Sequence, residues 1–311
     1  MNQTEKSSQK GILILGAGQL GMSVLRALAS RLSGKTALAV IEAPQIVEST
    51  DPAHKERITE IRNTGATVIP FDLATASKSD LMSAFSPFET VVNCTGFVAG
   101  SGTQLRLTRA VIAAGVPRYV PWQFGVDYDR VRYSSLNDVF DEQYDVRLLL
   151  RAQETTEWVI VSTGMFTSFL FEPAFGIVDL ETKTAKGLGS WETQVTTTSP
   201  EDVGLLTAEI LLHSPRFANE VVFVAGDTTS YGQVADIAEE ITGTPFQREE
   251  LTRDILDRAL KKNPGQMEKY RIAFAMGTGM HWPKSSTFNA QQGIETQTVQ
   301  DWLTDHIGQQ R

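Results

Sequence analysis

The feature that most constrains this chain is a glycine pattern set between a strand-length run and a helical one. Gly11–Leu15 (GILIL) is unbroken apolar sequence, and Leu20–Arg31 places Leu20, Val24, Leu25 and Leu28 at helical spacing. Between them stands Gly16-Ala17-Gly18-Gln19-Leu20-Gly21. A strand-to-helix turn of this kind uses its first glycine for the tight bend and its second to let a ligand reach the backbone. The third lets helix and strand pack closely. The unpaired N–H groups at the helix start then favour phosphate. Alone the glycine spacing is a weak signal. Between a strand and a helix it predicts a dinucleotide cradle made of Gly16, Ala17, Gly18, Gln19, Leu20 and Gly21.

The alternation continues downstream. Thr36–Ile41, Thr67–Pro70, Thr90–Asn93, Arg118–Pro121 and Glu157–Val161 read as strands. Helices are expected over Asp51–Asn63 (with Ile58 and Ile61 inward), around Asp80–Phe85, over Gln104–Ala114 and over Asn137–Ala152. This order predicts an α/β chain with a Rossmann-type doubly wound parallel sheet. Residues 1–10 read as a disordered polar tail, 11–163 as the dinucleotide-binding domain, and 164–311 as a smaller substrate-binding lobe closing over the cofactor. Within that lobe, Val178–Leu188 suggests a hairpin, and Ser199-Pro200-Glu201-Asp202 begins a helix running to Leu212. A late strand near 221–224 is expected to return to the main sheet. Further helices are expected near Tyr231–Thr242, Thr252–Lys262 and Val299–Ile307.

Composition narrows the partners. A net charge of −9, with scattered lysine and arginine, weighs against nucleic acid or anionic membrane. The single cysteine, Cys94, excludes an internal disulfide and suits a reducing compartment. Met1–Lys10 has no apolar signal-peptide core, and no run reaches the roughly 18 apolar residues of a membrane span. The expected setting is the cytoplasm, as a monomer or homodimer acting on a small molecule.

Glu42 closes the second strand, 21 residues after Gly21. An acid there accepts hydrogen bonds from ribose hydroxyls and repels a 2′-phosphate, which points to NAD(H); a solvated strand end also carries such acids. Thr95, Gly96 and Phe97 follow the fourth strand, where the sheet edge meets a dinucleotide. No tyrosine is followed at four residues by lysine, and there is no Gly-x-Ser-x-Gly, His-Glu-x-x-His, Cys-x-x-Cys or P-loop lysine. Of the four histidines only His281, in Gly279-Met280-His281-Trp282-Pro283, stands apart, and a loop histidine there is the plainer reading.

The segment Val116-Pro117-Arg118-Tyr119-Val120-Pro121-Trp122-Gln123-Phe124-Gly125-Val126-Asp127 resembles the fifth-strand segment of the NmrA-like and isoflavone reductase-like proteins, which are atypical short-chain dehydrogenase/reductases. The Gly16–Gly21 turn, Val139-Phe140-Asp141-Glu142-Gln143 and the stretch Trp158 to Phe166 agree with it, and Trp282–Gly293 looks like the tail of the fungal aromatic alcohol reductase-like branch. The resemblance covers most of residues 11–230. It implies NADP(H)-dependent reduction of a benzylic ether, a conjugated double bond or a carbonyl on an aromatic or polycyclic substrate. By the same mapping Gln123 and Phe124 lie beside the nicotinamide, as does Gln143. Trp122, Ser162, Thr163, Met165, Phe166, Phe169 and Phe171 line the substrate side, Phe169 and Phe171 being equally readable as core.

Two departures stand out. The plant reductases carry a lysine where this chain has Gln143, and an arginine for the 2′-phosphate where it has Glu42. An amide orients a carbonyl but does not deliver a proton as an ammonium does; Tyr144, Asp141 or a water then remain as proton sources. The leading reading is an NAD(P)H-dependent oxidoreductase with Gln143 and Tyr144 as catalytic candidates. The alternatives are a dinucleotide-sensing regulator without turnover, or a cofactor-bound non-redox cyclase or isomerase.

Overall fold

The computed structural model describes residues 11–96, 100–133 and 138–309. The expected tail at 1–10, the candidate Phe97, and the expected helix start at Asn137 lie outside the described residues. In chain order the elements begin β1 (Gly11–Leu15), α1 (Gln19–Leu32), β2 (Ala37–Glu42), α2 (Pro44–Val47), α3 (Pro52–Asn63), β3 (Thr67–Pro70), α4 (Lys78–Phe85), β4 (Thr90–Asn93), α5 (Thr103–Ala113) and β5 (Arg118–Val120). There follow α6 (Tyr128–Val131), α7 (Asp141–Arg151), β6 (Glu157–Ser162), β7 (Met165–Phe166), β8 (Val178–Asp179), β9 (Thr184–Leu188), β10 (Gln194–Thr198), α8 (Pro200–Leu212) and β11 (Glu220–Phe223). The chain ends through β12 (Asp227–Ser230), α9 (Tyr231–Thr242), β13 (Gln247–Leu251), α10 (Arg253–Lys262), α11 (Gln266–Met276), α12 (Phe288–Gln291) and α13 (Val299–Gln309).

The main sheet has the order β11-β6-β5-β4-β1-β2-β3. β1 pairs in parallel with both β2 and β4, so the chain winds outward on one side of β1 and then returns to build the other. Such a reversal opens a crevice at the carboxyl ends of the strands, and the turn after β1 lies there. This is the Rossmann-type α/β fold.

Chain contacts define two interleaved compact units instead of a single break after residue 163. One takes the chain up to Gln123, Asp145–Ile160 and Gly204–Val221; the other takes Phe124–Tyr144, Val161–Val203 and the chain from Val222. In the first, Leu13, Leu15, Ile41, Leu81, Phe85, Val91, Leu107, Tyr119 and Ile160 form a fully buried core. α8 belongs partly to this unit for a steric reason: a methyl group at Gly204 would stand 2.4 Å from the backbone of Ser23 on α1. Two further contacts hold the same return. Arg31 pairs with Glu209 at 2.6 Å, and Arg118 Nη1 donates to the Leu211 carbonyl at 2.7 Å.

The second unit carries two small sheets, β12-β10-β7 and β13-β9-β8. Its core is aromatic: Phe140 meets Tyr128, Tyr270 and Phe274 at ring distances of 5.4, 5.6 and 6.4 Å. Val139 and Phe140 make a turn instead of helix, and α7 starts at Asp141, later than its sequence suggests. α11 has no counterpart in the sequence reading, because its apolar residues do not fall on one stripe and so give no helical signal. Among the described residues no helix is long and apolar enough to cross a membrane.

Candidate functional site

The glycine turn has the geometry its sequence predicts. Gly16 has φ +81°, a conformation that side chains resist. A methyl group at Gly21 would lie 2.0 Å from the Gly16 carbonyl oxygen, so the third glycine is what lets α1 close against the turn. At Gly18, by contrast, nothing stands within 4 Å of such a methyl group. That opening is where a ligand can approach the backbone. Gly18 is also the N-cap of α1, and no side chain caps that helix, which leaves the first-turn amides to an anion.

Glu42, buried at the end of β2, turns its carboxylate back to this loop: Oε1 accepts from the Ala17 N–H at 2.7 Å. The backbone Gly16 N–H donates to Ile41 at 3.0 Å, so β2 holds the turn at two successive amides. A cleft of about 390 Å³ opens beside it. Its lining includes Gly16, Ala17 and Gly18 from the turn, Ile41 and Glu42 from β2, Arg57 from α3, Phe71–Ala74 after β3, and Cys94 and Thr95 after β4. Burial pushes the Cys94 thiol up, so it lines the cleft as a small uncharged group. Arg106 of α5 fixes the Leu73–Ala76 wall by donating to the carbonyls of Leu73, Ala74 and Ala76, the last two at 3.1 Å. Asp72 folds the same segment by accepting from the Ala74 N–H at 2.8 Å and the Thr75 hydroxyl at 2.7 Å.

The turn after β4 rests on a buried polar network. Asn93 Oδ1 accepts from the Thr95 N–H at 3.1 Å and the Thr95 hydroxyl at 2.8 Å. Its Nδ2 donates to Gln104 Oε1 at 2.8 Å and to the Tyr119 hydroxyl at 3.2 Å. Gln104 in turn donates to the Gly96 carbonyl. Burial raises the Tyr119 phenol to about 12, so it stays a neutral partner. Trp122 stands over Gly96. These residues deny Thr95 and Gly96 other conformations, since each polar group left unpaired there would cost on the order of 1–3 kcal/mol.

The structure thus brings Gly16, Ala17, Gly18, Glu42 and Thr95 to one cleft. Gln19 is exposed at the start of α1, while Leu20 is buried and Gly21 packs beneath the turn. Gln123 is fully buried and accepts from Arg147 Nε at 3.0 Å. In the second unit Phe124 and Gln143 are buried, and Tyr144 meets Tyr133 edge-on at 4.9 Å. There Ser162 and Thr163 are fully buried, Met165 and Phe166 form β7 against β10, and Phe166 and Phe169 approach at 5.7 Å. Phe169 is 46% exposed, whereas Phe171 is buried and stacks on Trp302 at 5.4 Å, a core contact. Arg57, Arg106, Asn93 and Gln104 carry no sequence motif. An amide at the end of a strand and an arginine flanking a buried helix stripe are their only local signals.

The sequence matches the NmrA-like family over residues 8–296. The chain belongs to that family. Among its NmrA-like relatives is an NmrA-like family domain-containing oxidoreductase of Gibberella moniliformis, 43% identical over 296 residues, covering 94% of this chain and 97% of the relative. Phenylcoumaran benzylic ether reductase Betv6 of Betula pendula is 23% identical over 315 residues, 96% of this chain and 98% of that protein. Among solved structures, isoflavone reductase superposes with a TM-score of 0.77 at 17% identity, covering 96% of this chain and 99% of the other. The leucoanthocyanidin reductase–NADPH complex of Vitis vinifera gives 0.77 at 16% identity, with the same coverage of 96% and 99%.

Proposed function

We propose that this NmrA-like chain is an NAD(P)H-dependent oxidoreductase that reduces a conjugated, benzylic or carbonyl group of an aromatic or polycyclic small molecule, in the cytoplasm and in secondary metabolism. One observation carries the reading: the glycine turn is open at Gly18 and uncapped at the start of α1, beside a cleft lined by the end of β2 and the turn after β4. The residues present fit a dinucleotide, with pyrophosphate at Gly16–Gly18 and adenosine toward Glu42. The relatives named as oxidoreductase and reductases support a redox use of it.

The neighbour solved with NADPH supports NADP(H) as the cofactor; Glu42 taken alone supports NAD(H). When bound, the nicotinamide supplies hydride. Gln123 and Phe124 are assigned to the nicotinamide. Gln143 is assigned to orient the acceptor oxygen, and Tyr144 or a water to supply the proton. Trp122, Ser162, Met165, Phe166 and Phe169 are assigned to the substrate side, an apolar and aromatic set of the kind that suits a flat ring.

The test is to titrate the purified protein with NADPH and NADH, then follow cofactor absorbance against a panel of aromatic enones and aldehydes. Cofactor oxidation by a panel member is expected. Tight cofactor binding with no oxidation by any of them would reject the reductase reading. It would favour a dinucleotide-sensing regulator, the reading that Gln143 supports because an amide is a poor proton donor.

A further inference from the structure

The adenosine end of the cleft contains an unresolved electrostatic problem. Glu42 is an acid at the place where a 2′-phosphate would sit, and the protein is acidic throughout, with net charge −9. Yet one cation enters the lining. Among the described residues of the cleft, Arg57 is the sole lysine or arginine.

Its placement follows from α3. Asp51 caps that helix, accepting from the Ala53 and His54 N–H groups at 2.9 and 3.2 Å, and Ile58 and Ile61 are its buried side. Arg57 directly precedes Ile58 and lies one turn before Ile61, so it flanks the buried stripe and reaches the cleft instead of open solvent. Its Nε is shut off from solvent and has no hydrogen-bond partner. No ion pair joins it to Glu42 or to any other described residue. Three other arginines of this unit are engaged: Arg26 by Glu60, Arg31 by Glu209, Arg106 by backbone carbonyls. A guanidinium with no acceptor in the fold is costly, and where it lines the cleft its planar fork can grip two oxygens of a tetrahedral phosphate monoester at once.

Resting on the dinucleotide reading above, we propose that Arg57 receives the 2′-phosphate of NADP(H) and offsets the carboxylate of Glu42. Glu42 spends one oxygen on the Ala17 N–H, which directs it toward the turn. Preference for the phosphorylated cofactor then comes from Arg57 on α3, acting against the opposing charge of Glu42 at the end of β2.

The test compares wild type, Arg57→Met and Arg57→Lys as full-length chains, by fluorescence or calorimetric titration with NADPH, NADH, 2′,5′-ADP and 5′-AMP. The last two present the phosphate without the nicotinamide, so the readout needs no turnover. Arg57→Met is expected to weaken NADPH and 2′,5′-ADP by about 10–100-fold while NADH and 5′-AMP stay within about twofold. Arg57→Lys should fall between, since it keeps the charge and loses the fork. Equal losses for all four ligands would overturn the assignment in favour of adenine stacking or a structural role, and no loss for any would overturn it outright. If wild type binds neither NADPH nor NADH, the dinucleotide reading fails first and takes this assignment with it.

Discussion

The carboxylate of Glu42 accepts the backbone N–H of Ala17 at 2.7 Å, tying the end of β2 to the middle of the glycine turn. A residue expected from sequence to address the ribose thus also shapes the glycine turn itself.

Glu42→Gln keeps an oxygen for Ala17 and removes the charge. NADPH affinity should rise relative to NADH by about 3–10-fold, because a like charge beside the 2′-phosphate is gone. The melting temperature should fall with a loss of about 0.5–1.5 kcal/mol, as a charge-assisted bond becomes a neutral one. Paired titrations and a thermal melt check this; an unchanged NADPH/NADH ratio would reject the electrostatic role.

Gly21→Ala places a methyl group 2.0 Å from the Gly16 carbonyl oxygen, a backbone atom that cannot swing aside. The helix must shift away from the turn, at a cost of about 1–3 kcal/mol. Dinucleotide affinity should fall by at least about tenfold, since the first-turn amides move with the helix. Gly18→Ala has open space and should cost far less stability; equal destabilisation of the two variants would contradict the packing account.

Tyr119→Phe removes a hydroxyl that Asn93 Nδ2 and Thr108 share at 3.2 and 3.3 Å. Unfolding in urea should show a loss of about 0.5–1.5 kcal/mol, and Asn93→Ala a larger one, because it also strands Thr95 and Gln104. The double variant should lose less than the sum. Strict additivity would mean that the network does not act as a unit.

Asp202 carries the pH prediction. Within the second unit it accepts from the Gln297 N–H at 2.9 Å and the Ser199 hydroxyl at 3.0 Å, yet desolvation outweighs these bonds and holds its carboxyl above the ordinary value of 3.8. The folded chain therefore keeps this proton to higher pH than the unfolded chain. Its contribution to stability falls as pH rises from the unfolded value through the raised folded one, and the penalty is complete above that. Asp138, lowered by Lys269, and Glu239, lowered by Arg248, run the other way and lose stability as pH falls. Urea midpoints measured across the mildly acidic range should decline more in wild type than in Asp202→Asn. Parallel profiles would show that Asp202 does not titrate there.

What the sequence made legible is what is local. The strand, turn and helix at residues 11–32 are contiguous, so glycine spacing and hydrophobic periodicity suffice to place the cradle. Glu42 was readable as a strand-end acid, but its bond to Ala17 spans 25 residues and leaves no periodic trace. Arg57 reaches the cleft, and Arg106 the back of its Leu73–Ala76 wall, only through tertiary packing. In sequence each is one more polar residue on an amphipathic helix. The helix α8 is readable from its Ser199-Pro200 start, but the division at residue 163 gives it whole to the second lobe, because its fit against α1 depends on Gly204 meeting Ser23 across the chain.

That return of α8 limits how such a chain can diversify. A fragment cut after residue 163 would forfeit Glu209 for Arg31 and the Leu211 carbonyl for Arg118, and would bare the side of α1 that Gly204 covers. The unit that carries the glycine turn is therefore not a contiguous cassette, since a cut at residue 163 removes partners that its own helices and strands use.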